Sequence, residues 1–179
     1  MTTPEISPRD VRRVQVVNRY ATPFAILLVA LAIFLPSPIR SVRIIGLSLL
    51  AFSILFNLVT VGLIRRRPEI LPRLKKLRLY TNLAVNVVLV YELSPYWPPI
   101  WLLLVLTPIA TAIYASARQS LMTSLLIAFL IMGIHLVHGG GGLMEWGQTL
   151  SRAAFVVLLS LLLNELAHEA GLNSPRNQP

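Results

Sequence analysis

Apolar residues fall along this chain in six long blocks separated by short polar stretches. The blocks run from Tyr20 to about Leu35, from about Ile44 to Ile64, from Leu79 to Leu93, from about Ile100 to Ala117, from Leu121 to about Val137, and from about Leu150 to Leu166. Blocks of this length lack the short periodic pattern of a soluble fold and predict membrane-crossing helices. A helix needs about 20 residues to cross the hydrocarbon core, with a lower limit near 17. The first and third blocks reach that length only by drawing on their flanks, where Arg19 and Arg78 can snorkel to the headgroups. The third is also diluted by Thr81, Asn82 and Asn86. The predicted fold is all-α: a polytopic membrane protein with six transmembrane helices.

Composition agrees. Hydrophobic residues make up 55% of the 179 residues and charged ones 13%, about half the charged share of an ordinary soluble domain, and the mean hydropathy is +0.71. Charge placement then orients the spans. With six crossings, both termini share a side with the second and fourth loops. That side holds Arg9, Arg12, Arg13, Arg19, Arg65, Arg66, Arg67, Arg73, Lys75, Lys76, Arg78, Arg118 and Arg176, leaving only Arg40, Arg43 and Arg152 opposite. Short basic loops stay cytoplasmic, so both ends are expected inside a multi-pass protein of the cell inner membrane. The net charge of +9 then reflects retention of these loops and attraction to anionic lipid, and nucleic acid is not an expected partner.

The edges are readable too. Ser7-Pro8-Arg9-Asp10 has the form of a helix start, and Val11, Val14 and Val17 lie on one face, which suits a basic amphipathic segment over residues 1–19 lying in the interface. Residues 20–167 are expected to form the membrane domain and 168–179 a short cytoplasmic tail. In the second loop, Leu71, Leu74 and Leu77 make an amphipathic lead-in to span three. No cleaved leader is expected, because apolar residues continue past the Ala30-Leu31-Ala32 stretch. The absence of cysteine excludes disulfides, thiolate metal sites and cysteine nucleophiles.

Unusual chemistry gathers at the outer ends. Tyr91, Glu92, Tyr96, Trp97 and Trp101 surround the turn between spans three and four, stiffened by Pro95, Pro98 and Pro99. His135 and His138 end span five ahead of Gly139–Gly142, Glu145 and Trp146. A stiff aromatic wall and a pliable glycine loop predict a shallow ligand pocket at headgroup level, with Tyr91, Glu92, Trp97, Trp101, His135 and His138 as its candidate residues. Interfacial anchoring is the competing role for the aromatics, and bonding to water or backbone for the histidines. No metal site is assigned, and no cofactor is identified.

Elsewhere the ionisable groups avoid the middle of every span, which argues against a proton pump or ion-coupled carrier. Asn82 and Asn86, one turn apart, are expected to make polar contacts between helices. Glu165-Leu-Ala-His168 has a di-iron spacing but occurs once, at the inner rim. No nucleophile elbow, phosphate loop or zincin motif is present, so an enzyme is not expected.

Ser94-Pro95 at an outer turn, Pro108 within the following apolar helix and Arg118 at the next inner turn carry a resemblance. The stretch Leu79–Val137 resembles the second half of the six-helix N-terminal membrane module of bacterial sensor histidine kinases, with Tyr91-Glu92-Leu93 where that family usually has a Gly-Gly pair. The resemblance implies a membrane input module that passes a change in helix packing inward. No kinase domains lie within these residues, so the expected role is to bind a small hydrophobic ligand or partner and to signal through a separate membrane or cytoplasmic protein. The alternative expectation is a structural accessory subunit of a larger respiratory or photosynthetic membrane complex.

Overall fold

The computed structural model describes residues 8–66, 71–114 and 116–169, and these form helices with no strand among them. The elements are α1 (Pro8–Phe34), α2 (Arg40–Arg66), α3 (Leu71–Leu93), a 3-10 turn (Pro98–Trp101), α4 (Leu102–Tyr114), α5 (Ala117–Val137) and α6 (Leu143–Glu169). Ser7, residues 67–70 and the tail after Glu169 lie outside the described residues, as do the side chains on the amphipathic face expected before span one.

Among the described residues, three helices are long and apolar enough to cross a membrane: α2 over Arg40–Thr60, α5, and α6. Two further apolar stretches, Tyr20–Phe34 and Pro98–Ala112, are helical but shorter. Elements extend past the apolar blocks that announce them. The helix expected in the interface is continuous with the first apolar stretch in α1, and α6 begins at Leu143 rather than near Leu150. A helix satisfies its backbone bonds internally whatever its side chains, so a change in hydropathy does not by itself end it.

The chain divides into two units, Ala25–Thr107 and Met1–Phe24 with Pro108–Pro179. In the first, Leu28, Val29, Ala32 and Ile33 of α1 form one buried stripe. Gly46 of α2 lets the helices approach: a Cβ there would stand 3.1 Å from Ile33 Cδ1 and 3.9 Å from Leu93 Cδ1. Val85, Leu89, Val90 and Leu93 of α3, with Ile100, Leu103 and Leu104, complete the core. Lipid tails are as apolar as leucine, so such cores are held by close packing more than by escape from water.

The second unit is built on the α5–α6 hairpin. Ser120, Ser124, Ile127, Ala128 and Ile131 on α5 are buried, as are Thr149, Ala153, Val156, Ser160, Asn164 and Ala167 on α6. The small side chains bring the helices close enough for Ser120 Oγ and Ser160 Oγ to share a hydrogen bond of 2.7 Å. Ser116 caps α5, its side chain accepting from the Gln119 amide at 3.5 Å.

Candidate functional site

The candidate residues belong to two different units. Tyr91, Glu92, Trp97 and Trp101 lie in the first, and His135 and His138 in the second. At the end of α3, Tyr91 is exposed and Glu92 half-buried, while Leu93 between them and the turn is fully buried. The turn is tied to that residue: the amides of Tyr96 and Trp97 both donate to the Leu93 carbonyl, at 3.1 and 2.9 Å. The Ile100 amide then donates to Trp97 O at 3.1 Å, closing the 3-10 turn that Pro98 and Pro99 begin. Trp97 and Trp101 are half-buried beside Ile100, which is fully buried. Proline suits this place because the first residues of a helical turn have no use for an N–H.

At the end of α5 the two histidines take separate partners. The His135 ring is half-buried and meets Trp146 edge to face, with centroids 4.9 Å apart and planes at 86°. Its Nε2 is buried and has no hydrogen-bond partner. His138 is the C-cap, and its Nδ1 lies 2.9 Å from the Ile134 carbonyl of its own helix. A proton on Nδ1 makes that contact a hydrogen bond. Three residues of separation put both on one helical face, yet His135 meets Trp146 while His138 turns back to the Ile134 carbonyl.

The glycine loop is more constrained than its composition predicts. Gly140 N donates to His135 O and Gly139 N to Leu136 O, both at 3.1 Å, forming the paired bonds of a Schellman motif. Gly139 has φ +99° and Gly140 φ +45°, the left-handed region that glycine enters without strain. A Cβ on Gly140 would stand 3.4 Å from the Trp146 ring, and the Glu145 carboxylate lies against Gly141. Glu145 occupies the first turn of α6, where its negative charge favours the exposed amides. Trp146 therefore organises this end of the hairpin, although its position just inside a helix reads in sequence as one more interfacial anchor.

Polar groups inside the first unit form a second cluster. Asn57 Oδ1 accepts from Arg78 Nε at 2.8 Å and from Asn82 Nδ2 at 3.4 Å. Asn82 Oδ1 is buried without a partner. Asn86 Nδ2 donates to the Leu103 carbonyl at 3.2 Å, linking α3 to α4. In the second unit Asn164 Nδ2 donates to the Ala112 carbonyl at 3.1 Å, linking α6 to the last turn of α4. Asn57 and Asn164 stand out in the sequence only as neutral polar residues in apolar blocks. Among the described residues, no group of three histidines, cysteines or carboxylates is placed to hold a metal ion.

Compared with protein-family models, with curated proteins and with solved structures, the chain matches none.

Proposed function

We propose that this chain is a six-span protein of the cytoplasmic membrane, with both termini inside, that binds a small, largely apolar molecule at its outer edge and signals through a separate protein. The distribution of basic residues supports the orientation: Arg65 and Arg66 end α2, Arg73, Lys75, Lys76 and Arg78 open α3, and Arg118 opens α5.

The observation that carries the binding reading is His135. A buried nitrogen without a partner costs about 1–3 kcal/mol. Here that nitrogen sits beside the edge-to-face ring of Trp146, at a capped helix end. A ligand with one hydroxyl or amide group and an apolar body would pair with Nε2 and lay its body on the indole. Lipid can reach the same height, so the molecule need not enter from water.

The test is purification in lipid nanodiscs with mass spectrometry of everything retained, for the wild type and for His135→Phe. Phenylalanine keeps an aromatic ring against Trp146 and removes the nitrogen. The reading expects one small molecule held by the wild type and lost from the variant. Equal retention by both, or none by either, would discard it. Larger proteins retained in fixed stoichiometry would replace it with the accessory-subunit reading.

A further inference from the structure

Two side-chain contacts fix the register of the α5–α6 hairpin, which lies within one unit. Ser120 Oγ meets Ser160 Oγ at 2.7 Å toward one end, and the His135 ring meets Trp146 toward the other, with centroids 4.9 Å apart. The contacts are 15 residues apart on α5 and 14 on α6, so the two helices run past each other almost residue for residue. Arg152 stands six residues from Trp146 and eight from Ser160, which sets it level with Ala128 and Phe129 of α5. Along the chain it reads as an edge residue, two places into the sixth apolar block. On the hairpin it is close to the middle.

Length turns that level into a depth. α5 has 21 residues and so measures about 31 Å, while the hydrocarbon core is about 30 Å thick. α5 crosses only if nearly its whole length is immersed. α6 has 27 residues, about 40 Å, so α6 is the helix that overhangs. Arg152 then lies about 13 Å from the level of Val137 and about 17 Å from that of Ala117. Snorkelling shortens the first distance without closing it. This depth rests on the hairpin crossing the bilayer, whatever the number of other spans.

A guanidinium at such a depth is costly, and it persists where acceptors meet it. Arg152 is half-buried and already engaged within the fold, and its five N–H donors serve more than one partner. The nearest carboxylates of its own helix are placed elsewhere. Glu145 is two turns away with its carboxylate against Gly141, and Glu165 lies thirteen residues in the other direction, about 20 Å along the axis. Beside the buried face of α6, Gln148, Ser151, Arg152, Phe155, Leu159 and Leu162 recur at i, i+3, i+4, i+7, i+11 and i+14. Arg152 and Leu159 are half-buried in this stripe and the other four are exposed. The spacing is that of a helix-packing face, polar around Arg152 and apolar beyond it.

We propose that this stripe docks a transmembrane helix of a partner protein that carries a carboxylate near mid-depth, and that Arg152 recognises it. The proposal gives a chemistry to the separate protein of the signalling reading, and it rests on that reading. Depth decides among the possible anions. A phospholipid keeps its phosphate at headgroup level, and a dissolved carboxylate must shed its water to descend. A carboxylate on a helix is set at its depth when the helix inserts, and pairing relieves both buried charges through strong, charge-assisted bonds.

The probe is a synthetic single-span leucine–alanine helix with one glutamate at its midpoint, labelled for energy transfer to the whole chain in phosphatidylcholine nanodiscs. Its controls are the same helix with glutamine at the midpoint and with the glutamate moved to one end. The midpoint-glutamate helix is expected to bind at least tenfold more tightly than either control. Arg152→Leu should abolish that preference and Arg152→Lys should keep part of it. Arg152→Glu should transfer it to a midpoint-lysine helix, which a misfolded variant could not do. Equal binding of the glutamate and glutamine helices by the wild type overturns the site, as does a preference that Arg152→Leu leaves unaltered. A preference for the end-placed glutamate overturns the depth. Loss of the preference in nanodiscs containing phosphatidylglycerol overturns the helix partner in favour of a lipid headgroup. The preference is expected to survive in His135→Phe, so failure of the small-molecule reading and failure of this docking site are read separately.

Discussion

The α3–α4 and α5–α6 turns solve one problem with opposite materials. The α3–α4 turn uses Pro95, Pro98 and Pro99; the α5–α6 turn uses Gly139–Gly142. Composition predicts a stiff turn facing a pliable one. In the structure both are held by defined bonds. Leu93 O receives two amides at one turn, and His135 O and Leu136 O receive one each at the other. The glycines also make room for Trp146 and Glu145 to fold back over the loop. The order of a turn therefore follows from where its backbone bonds and neighbouring side chains go, and proline or glycine content by itself says only which φ values are allowed.

This parity can be broken by single substitutions, read as equilibrium stability in mild detergent or bicelles. The largest effect is expected for Leu93→Ala. Leu93 is fully buried and contributes both to the core and to the support of the turn, so about 2 kcal/mol or more should be lost. Gly139→Ala should cost about 1–2 kcal/mol, because alanine resists φ +99°. If Gly139→Ala is instead neutral, the loop is pliable after all and the bonded description of it fails. Pro95→Ala should cost about 0.4–1 kcal/mol, acting mainly by loosening the unfolded chain. Pro95 is exposed. The smallest effect, about 0.3–1 kcal/mol and screened by salt, is expected for Glu145→Gln, through the amides at the start of α6. A salt-independent loss there would point to packing against Gly141 as its main role.

Much of the architecture was legible along the chain. The apolar blocks at Ile44–Ile64, Leu121–Val137 and Leu150–Leu166 each lie within one of the three helices long and apolar enough to cross a membrane. Span three is the weakest block, diluted by Thr81, Asn82 and Asn86, and among the described residues α3 is not one of those three helices. Block four divides into a 3-10 turn and a short helix, because two consecutive prolines favour a tight start. Among the candidate site residues, the histidines were visible as chemistry but not as geometry. That His135 meets Trp146 while His138 turns back to Ile134 depends on where α6 brings the indole, which no spacing within α5 reveals.

The sequence by itself determined that this is a helical protein with segments long and apolar enough to cross a membrane. That property is local: a continuous apolar stretch leaves a backbone no partners but its own, and a helix answers it. Tertiary structure decided what the sparse polar groups do. Asn86 reaches Leu103 and Asn164 reaches Ala112, and no spacing along the chain foretells which carbonyl an amide will meet. It also gave meaning to a pattern already present in the letters. Thr-Pro occurs in α1 and again in α4, but only the division of packing into two units shows that both copies stand where the chain crosses from one to the other. Packing is a sum over neighbours distant in sequence, so such a division appears only when those neighbours are in place.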